Sequence, residues 1–255
     1  MKISLCLPVA IRKHDTQRAD MLVQCLESIL AQTHQDYEVI LKDAFPAESV
    51  KLHANVRECM EKFGPKLNYV ACPDSGIFDG LNQALWWATG DILHFICGDD
   101  TAGDPDSLAF VDSTFTYHKK DYGNRNDPAW LYGSLGTILE DGSEGHWGVT
   151  PWATLDELLI HNRMGCPAVF WNRAMFERVG YFEYTMAGDY DYWCRCYRIC
   201  EPMYTERRIA TGRRWAQSAS HINVDTTNRE AAEISAKHGA AHARGEAPIY
   251  VPFKS

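Results

Sequence analysis

Two adjacent carboxylates, Asp99 and Asp100, follow Gly98 and an apolar run at residues 92–97. Carboxylates at the end of a buried strand must be solvated, paired or bound to a cation, because an isolated buried charge is very costly. Their hard oxygen atoms on a short turn suit Mg²⁺ or Mn²⁺, particularly when a substrate diphosphate completes the coordination shell. The alternative is a capping turn before a helix that begins near Pro105, since Asp is favoured in caps and turns.

The first hundred residues predict the elements that position this pair. Apolar runs indicate strands at residues 3–7, 37–42, 67–71 and 92–97. Apolar residues spaced by three and four predict helices at residues 22–30 and 77–88. This alternation favours right-handed crossovers and an α/β fold with a largely parallel sheet covered by helices.

Five residues follow the ends of the predicted strands: Pro8, Asp43, Asp74, Asp99 and Asp100. Pro8 is predicted to close the first strand, because proline cannot donate a ladder hydrogen bond. Ligands of such sheets bind beyond the carboxyl ends of the strands. We therefore expect these five residues to line one rim.

The second half of the chain is less regular. Its patterns predict a strand at residues 130–132 and helices at 151–160, 173–179 and 189–200. The last part of the chain predicts one exposed helix and a mobile tail. With no internal repeat or low-complexity linker, we expect one continuous domain over residues 1–227 and a C-terminal helix and tail over residues 228–255.

Composition excludes several classes of protein. The 25 Lys and Arg against 34 Asp and Glu give a net charge of -9, which argues against a nucleic-acid binder because that class needs a basic face. No apolar stretch approaches the roughly 18–20 residues that cross a bilayer, and the N-terminus lacks the apolar core of an export signal. Nine cysteines without a Cys-x-x-Cys pair indicate reduced thiols and a cytoplasmic location, and they disfavour a zinc site.

The segment that ends at the carboxylate pair has a recognisable order. It reads Asp74-Ser-Gly-Ile-Phe-Asp-Gly-Leu-Asn82, a helix, Gly90-Asp91, an apolar strand and Gly98-Asp99-Asp100. This order closely resembles family 2 glycosyltransferases with the GT-A fold, whose pattern is Asp-x-Gly-Ile-Tyr-Asp-Ala-Met-Asn, a helix, Gly-Asp, a strand and a metal-binding Asp-Asp. Five further segments resemble the family's first helix, second strand, acceptor side and catalytic region: residues 26–33, 37–43, 166–170, 176–182 and 189–195.

The resemblance implies roles for the rim residues. It implies that Pro8 and Asp43 meet the nucleotide base, that Asp74 and Asp99 meet the nucleoside, and that Asp100 binds the divalent metal, Mn²⁺ or Mg²⁺. A metal ion at the diphosphate would stabilise the negative charge of this leaving group. On this basis residues 1–100 would form a nucleotide-binding half and residues 101–227 an acceptor-binding half.

The resemblance also implies that Asp189 is the catalytic base. A carboxylate within hydrogen-bond reach removes the proton of an acceptor hydroxyl in the transition state. Asp191 is the alternative base, but at about 100° per helical residue it points roughly 200° away from Asp189. Asp189 as a mere helix N-cap is the structural alternative. Direct attack by the acceptor implies inversion at the anomeric carbon, with no enzyme nucleophile.

Three departures from the family pattern bear on these roles. Residues 44–48 read Ala-Phe-Pro-Ala-Glu where the family has Gly-Ser-x-Asp, and Gly188 replaces an acidic residue before the base. Arg214-Trp215 resembles part of the Gln-x-x-Arg-Trp motif of processive members, but Thr211 stands in place of Gln. We therefore expect a non-processive enzyme that adds one sugar.

Basic residues and one histidine complete the candidate site. Arg207, Arg208, Arg213 and Arg214 form the densest basic cluster. They are expected either to reach the diphosphate or anionic lipid headgroups near the acceptor, or to form a solvated face. His221 is a candidate metal ligand, with an ordinary surface histidine as the alternative.

The sequence thus predicts a metal-dependent inverting glycosyltransferase. We expect a nucleoside-diphosphate sugar as donor, with uridine as the favoured base, and a hydroxyl of a glycan or lipid-linked glycan as acceptor. The family implies bacterial surface polysaccharide assembly, with the protein at most peripheral to the inner face of the cell membrane. The alternatives are a sugar-1-phosphate nucleotidyltransferase, disfavoured because residues 9–13 lack its Gly-rich loop, and an inactive sugar-nucleotide-binding assembly protein.

Overall fold

The computed structural model describes residues 1–121, 127–146, 148–183 and 185–253. The strands are Ile3–Val9 (β1), Tyr37–Asp43 (β2), Leu67–Ala71 (β3), Ile92–Phe95 (β4), Trp130–Leu139 (β5), Val169–Asn172 (β6) and Met203–Arg214 (β7). The helices are Thr16–Leu30 (α1), Ala54–Glu61 (α2), Ile77–Trp87 (α3), Ser107–Asp121 (α4), Leu155–Ile160 (α5), Arg173–Val179 (α6), Gly188–Tyr197 (α7), Ala219–Ile222 (α8) and Val224–Ala243 (α9).

The described strands form one seven-stranded sheet in the order β3-β2-β1-β4-β6-β5-β7. β1 pairs in parallel with β2 and β4, and β3 pairs in parallel with β2. β6 runs antiparallel to β4 and β5, and β7 is parallel to β5. The predicted α/β fold with a mostly parallel sheet is therefore confirmed.

Helices cover both faces of this sheet. Apolar side chains of α1, α2 and α4 pack on one face, and those of α3, α5, α6 and α7 pack on the other. The second face is rich in aromatic rings, with Trp130, Trp171 and Trp193 fully buried. These two layers fix the ends of the strands and the first turn of α7, which carry the candidate residues.

The sequence predicted that Pro8 closes the first strand, and this prediction is wrong. Strand β1 continues through Val9. Val9 faces β2, because its carbonyl accepts from the Ala44 N–H, so Pro8 faces the β4 side. The ladder with β4 ends at the pair Cys6 and Phe95. Proline is tolerated there because its missing N–H would have no strand partner.

The C-terminal helix is longer and less exposed than predicted. It begins at Val224, and both Ile234 and His238 on it are buried. The tail then returns to the domain, where Val251 accepts from the Tyr181 N–H and donates to the Val179 carbonyl. The described part of the tail therefore contacts the domain at Val251, and its mobility stays a prediction.

A buried ionic group fastens α9 to α7. Asp191, which is 1% exposed, accepts from Arg195 Nε at 2.8 Å, His238 Nε2 at 2.9 Å and Lys237 Nζ at 3.1 Å. Burial alone would raise the pKa of the Asp191 carboxyl, but the His238 hydrogen bond and the Arg195 and Lys237 charges hold it well below its usual range.

We expect Asp191→Asn to destabilise the protein by about 3–5 kcal/mol at pH 7, because Arg195 would stay buried without its counter-ion. A depressed carboxyl pKa contributes stability above the unfolded value near 4, and this contribution is lost as the pH falls below it. The free energy of unfolding by urea at pH 7 and pH 3 measures the effect. Asp225→Asn, at an exposed carboxylate on α9, is the control; equal unfolding energies of Asp191→Asn and the wild type at pH 7 would contradict the prediction.

Candidate functional site

The loop that carries Asp99 and Asp100 is held by the last strand, β7. Thr101 and Thr211 exchange two backbone hydrogen bonds, of 2.9 and 3.0 Å. The Arg213 N–H donates to Asp100 Oδ1 at 3.0 Å, and Arg213 Nε donates to the Asp99 carbonyl at 2.9 Å. The sequence analysis missed β7, although this strand sets the positions of both carboxylates.

The two carboxylates form a group that fits a hard divalent cation. Their oxygens and the Cys97 sulfur lie within 4.8 Å of one another. Burial raises the pKa of the Asp100 carboxyl well above its usual range, and the Asp99 charge raises it further. Burial and the charges of Asp100 and Asp99 raise the pKa of the Cys97 thiol. The thiol therefore stays protonated, and the two carboxylates are the candidate cation ligands. A cation would remove the repulsion between them.

Asp99 also contacts the segment after β7. Trp215 Nε1 donates to Asp99 Oδ2 at 2.7 Å. The hydrogen bonds from Trp215 and from the Arg213 N–H thus engage one oxygen of each carboxylate. Trp215, like Arg213, orders the carboxylate pair from a distant part of the chain.

Asp74 is held at the rim by a buried lysine, Lys42. Lys42 has no exposed surface, and its Nζ forms an ion pair with Asp74 Oδ2. A Cβ at Gly80 would lie 2.9 Å from Asp74 Oδ2 and 3.2 Å from Pro8 Cβ, so the first turn of α3 closes against both residues. Lys42 escaped the sequence analysis, although a lysine inside an apolar strand is a signal for a buried partner.

Asp43 does not offer its carboxylate to the rim. Its side chain is fully buried and accepts from the Phe45 and Val50 N–H groups at 3.0 and 2.8 Å and from the Tyr69 hydroxyl at 2.7 Å. These protein donors leave no surface for a direct contact with a nucleotide base. The expectation for Asp43 is therefore corrected: the carboxylate shapes the loop after β2.

Asp189 lies in the first turn of α7. Burial raises the pKa of its carboxyl to about 6, while hydrogen bonds from backbone N–H groups act in the opposite direction. Gly188 is required by close packing, because a Cβ there would lie 2.6 Å from the Glu183 carbonyl and 2.9 Å from the Phe78 ring. The Ala187 N–H donates to Glu230 Oε2 at 3.1 Å, so α9 brings a carboxylate to the same turn.

Cys166 connects Asp189 with the carboxylate pair. Burial raises the pKa of its thiol well above the usual value, and the charges of Asp189 and Asp100 raise it further. Both carboxylates are thus close enough to act on one thiol. Cys166 begins the short turn Cys166–Ala168 before β6, so Asp100 and Asp189 both lie near this turn.

The Asp191 carboxylate faces α9. It is occupied by Arg195, Lys237 and His238. A carboxylate that is buried, triply paired and of low pKa is a poor proton acceptor. The alternative assignment of Asp191 as base is therefore corrected to a structural role.

The basic cluster is divided by its ion pairs. Arg207 pairs with Asp106, and Arg208 pairs with Asp104 and Glu144. Arg213 serves the carboxylate loop, while Arg214 is exposed. The expectation of one patch for a diphosphate or a membrane is corrected, because acidic partners already neutralise two of the four residues.

His221 is exposed in α8. In the part of the chain that the structure describes, the group of possible metal ligands is Cys97, Asp99 and Asp100. The prediction that His221 is a metal ligand is therefore not supported by its position. The same part of the chain contains no helix long and apolar enough to cross a bilayer.

Comparison with known proteins agrees with this architecture. Residues 14–111 match the family model described as Glycosyl transferase family 2. The PGL/p-HBAD biosynthesis glycosyltransferases of Mycobacterium bovis and Mycobacterium tuberculosis are 28% identical to this chain over 181 residues. The alignment covers 70% of this chain and 65% of those relatives, so the chain spans just under two thirds of their length.

Solved structures show the same fold. S. aureus TarS 1–349 in complex with UDP is 15% identical, with a TM-score of 0.64 over 93% of this chain and 65% of that chain. The mannosyltransferase PcManGT from Pyrobaculum calidifontis, in complex with GDP-Man and Mn²⁺, is 16% identical, with a TM-score of 0.59 over 96% of this chain and 76% of that chain. Together with the order of motifs from Asp74 to Asp189, these matches lead to one conclusion: the chain has the GT-A fold, and its residues 14–111 are similar to glycosyltransferase family 2.

Proposed function

We propose that the protein transfers a sugar from a nucleoside diphosphate to an acceptor hydroxyl, with inversion at the anomeric carbon. The observation that carries the proposal is that Asp100 and Asp189, two buried carboxylates from distant segments, both lie near Cys166, because the charges of both raise the pKa of its thiol. One carboxylate suits a cation at the leaving group, and the other suits a base at the nucleophile. Both are needed for direct displacement of an activated sugar.

Asp99 and Asp100 are the residues that would hold Mn²⁺ or Mg²⁺. A bound ion would supply stabilisation of the negative charge that develops on the departing diphosphate. The buried carboxylate pair supports this assignment, and PcManGT is a fold relative in complex with Mn²⁺. Arg213 and Trp215 act here as positioning residues, because they fix Asp99 and Asp100.

Asp189 is proposed as the general base. The proton of the acceptor hydroxyl passes to its carboxylate while the acceptor oxygen bonds to the anomeric carbon and the bond to the diphosphate breaks. A pKa of about 6 keeps the carboxylate ionised at neutral pH and makes it a stronger base than an ordinary aspartate. No covalent enzyme intermediate is required.

Pro8, Asp74 and Asp99 are proposed to contact the nucleoside, and Asp43 to act through the loop that it holds. We favour UDP as the nucleotide, because TarS is seen in complex with UDP and UDP-GlcNAc. We propose a glycan or lipid-linked glycan as acceptor, in line with the relatives' name of PGL/p-HBAD biosynthesis glycosyltransferase. Nine free cysteines favour a reducing, cytoplasmic setting, with any membrane contact peripheral.

We propose residues 1–227 as the catalytic unit, with a donor half over residues 1–100 and an acceptor half over residues 101–227. The contact between Glu230 and Ala187 extends the support of this unit into α9. The C-terminal helix then belongs functionally to the acceptor half.

Lys42→Met tests the nucleotide side. We expect donor affinity to fall roughly tenfold or more, because Asp74 loses the cation that orients it and one charge-assisted hydrogen bond to the donor is lost. Calorimetric titration with the nucleoside diphosphate measures this change. Lys62→Met, on an exposed lysine after α2, is the control; unchanged affinity in Lys42→Met would contradict the role of Asp74.

The activity itself is tested with a panel of sugar nucleotides and Mn²⁺. We expect slow release of nucleoside diphosphate by transfer to water, dependent on the metal and abolished by EDTA. Formation of pyrophosphate from a sugar 1-phosphate and a nucleoside triphosphate would instead identify a nucleotidyltransferase. Binding of a donor with no turnover under any condition would identify an inactive assembly protein.

A further inference from the structure

A basic cavity lies behind the helix that carries Asp189. It has a volume of about 180 Å³ and is enclosed by α7, the second half of α9 and the tail that follows α9. The tail closes the cavity because the Val251 backbone forms hydrogen bonds with the Val179 carbonyl and the Tyr181 N–H. Its lining residues do not include Asp99, Asp100 or Asp189.

The cavity wall carries more positive than negative side chains. Four cations, Arg195, Arg198, Lys237 and Arg244, face two carboxylates, Glu183 and Glu246. Asp191 lies behind the wall, where it already accepts from Arg195, Lys237 and His238. The surplus of positive charge favours an anion as the occupant.

His238 gives the second, independent observation. Its side chain is 3% exposed, and Nε2 lies 2.9 Å from Asp191 Oδ1. The other ring nitrogen, Nδ1, is buried and has no hydrogen-bond partner among the described residues. A buried polar atom without a partner is uncommon and costly, and His238 lines this cavity.

Two of the cations retain hydrogen-bond donors for a ligand. Lys237 has three donor hydrogens, of which the contact with Asp191 uses one. Arg198 donates through one terminal nitrogen to the Glu246 carbonyl, which leaves further N–H groups of its guanidinium. When the His238 ring carries both protons, Nδ1–H is a further donor.

We propose that this cavity binds a small oxyanion of the phosphate or sulfate type. Its ligands are His238 Nδ1–H, the Lys237 ammonium and the Arg198 guanidinium, with the Arg195 and Arg244 charges close by. Charge-assisted hydrogen bonds of this kind are the strong ones in protein sites. The cavity is smaller than the ~300–1,000 Å³ of pockets for drug-sized ligands, which suits one inorganic ion or one phosphate group of a lipid headgroup.

Bound anion joins three parts of the chain: α7, α9 and the tail. The ionic group at Asp191 is the link between this site and the helix of the proposed base. Binding therefore stabilises the docked position of α9, and with it the contact between Glu230 and Ala187. The proposal does not depend on the transferase activity, because binding is measurable in its absence.

The test is titration of the full chain with inorganic phosphate, followed by calorimetry and by the ¹H–¹³C resonances of the histidine rings. The His238 resonance is identified by its loss in His238→Asn. We expect phosphate to shift it in the wild-type protein, and Lys237→Met and Arg198→Gln each to weaken this binding roughly 10- to 100-fold. Lys62→Met, on an exposed lysine of the distant segment after α2, is the matched control and keeps full affinity.

Arg244→Gln is a variant that should fold even if the other cavity variants do not, because Arg244 is exposed and its ion pair is with Glu246, two residues later. It weakens binding while leaving the Tm of the ligand-free protein unchanged. Sulfate is the second probe: we expect it to shift the His238 resonance in the wild-type protein and to bind more weakly to Lys237→Met and Arg198→Gln, as phosphate does.

Vesicles of phosphatidylglycerol in phosphatidylcholine distinguish the two sources of the anion. Sedimentation of the protein with these vesicles, displaced by free phosphate and lost in Arg198→Gln, identifies a lipid headgroup. Phosphate binding without vesicle binding identifies a free ion, which equally supports the proposal. The proposal is overturned if phosphate does not shift the His238 resonance. It is also overturned if the phosphate affinity of Lys237→Met, Arg198→Gln and Arg244→Gln equals that of the wild type.

Discussion

Replacing Asp189 by Asn is expected to lower kcat roughly 10²- to 10⁴-fold, the contribution that a positioned general base makes. The amide keeps the shape of the side chain and its hydrogen bond from the Tyr190 N–H, but it cannot accept the proton of the acceptor hydroxyl. Donor affinity should stay within about twofold, because Asp189 is proposed to contact the acceptor hydroxyl and not the donor. Initial rates at saturating donor and calorimetric donor titration separate the two quantities.

The pH dependence gives a second readout for Asp189. Since burial raises the pKa of this carboxyl to about 6, the wild-type kcat should fall as the pH drops below about 6, and this acidic limb should vanish in the variant. A raised carboxyl pKa also costs stability as the pH rises from about 4 to 6. The Asn variant avoids this cost, so its inactivity will not come with a lower Tm.

Glu61→Gln, an exposed carboxylate on α2, is the matched control for the loss of one charge. It should keep both the kcat and the acidic limb. Full turnover by Asp189→Asn would refute the assignment of the base.

Asp100→Asn is expected to abolish the metal-stimulated part of the turnover and to stabilise the metal-free protein. The amide removes a charge that lies buried beside Asp99, and it weakens the donor set for a divalent cation. Burial and the Asp99 charge raise the pKa of the Asp100 carboxyl, so the metal-free wild type loses stability as the pH rises above the ordinary carboxyl value. The Tm in EDTA should thus be higher for the variant, and the difference should grow from pH 5 to pH 8.

Mn²⁺ binding, followed by electron paramagnetic resonance, completes this test. Asp106→Asn, an exposed carboxylate that pairs with Arg207, provides a control with normal metal binding and turnover. Wild-type Mn²⁺ affinity in Asp100→Asn would exclude this carboxylate as a metal ligand.

The sequence was informative where one physical rule decided the outcome. The four strands and the helices α1 and α3 between Ile3 and Phe95 follow from apolar runs and from helical spacing, because a strand or helix in a layered fold buries one or both of its faces. Helix α2 was not predicted. The position of Asp99 and Asp100 at a strand end follows from the same rule. That Asp189 belongs to the same site as Asp99 and Asp100 was predicted only from the order of motifs. This order is a resemblance to a family, and it gives no distance between the residues.

The sequence was least informative for contacts between distant segments. β7 reads Met-Tyr-Thr-Glu-Arg-Arg-Ile-Ala-Thr-Gly-Arg-Arg over residues 203–214, which has neither the alternation nor the apolar run of a strand. Its edge position allows polar side chains, so local pattern could not reveal it. The same limit hid Lys42 and Glu230, whose partners Asp74 and Ala187 lie 32 and 43 residues away.

Side-chain direction was the other limit. Asp43 and Asp191 have the residue type that their proposed roles require, yet one carboxylate is enclosed by its own loop and the other by Arg195, Lys237 and His238. Spacing along a helix or strand gives the face on which a residue lies. It does not give the hydrogen bonds that already occupy the side chain.

The pairing of Thr101 with Thr211 has a consequence for how the molecule matures. These residues are separated by more than a hundred positions, and closing so long a loop is entropically expensive until the intervening layers have packed. A nascent chain that stops near residue 111, where the family match ends, would contain the strands of the donor half. It would lack β7 and Trp215, which hold the loop of Asp99 and Asp100. Competence for catalysis should therefore arise late and all at once, which predicts that no fragment of the N-terminal half will retain even a fraction of the metal affinity.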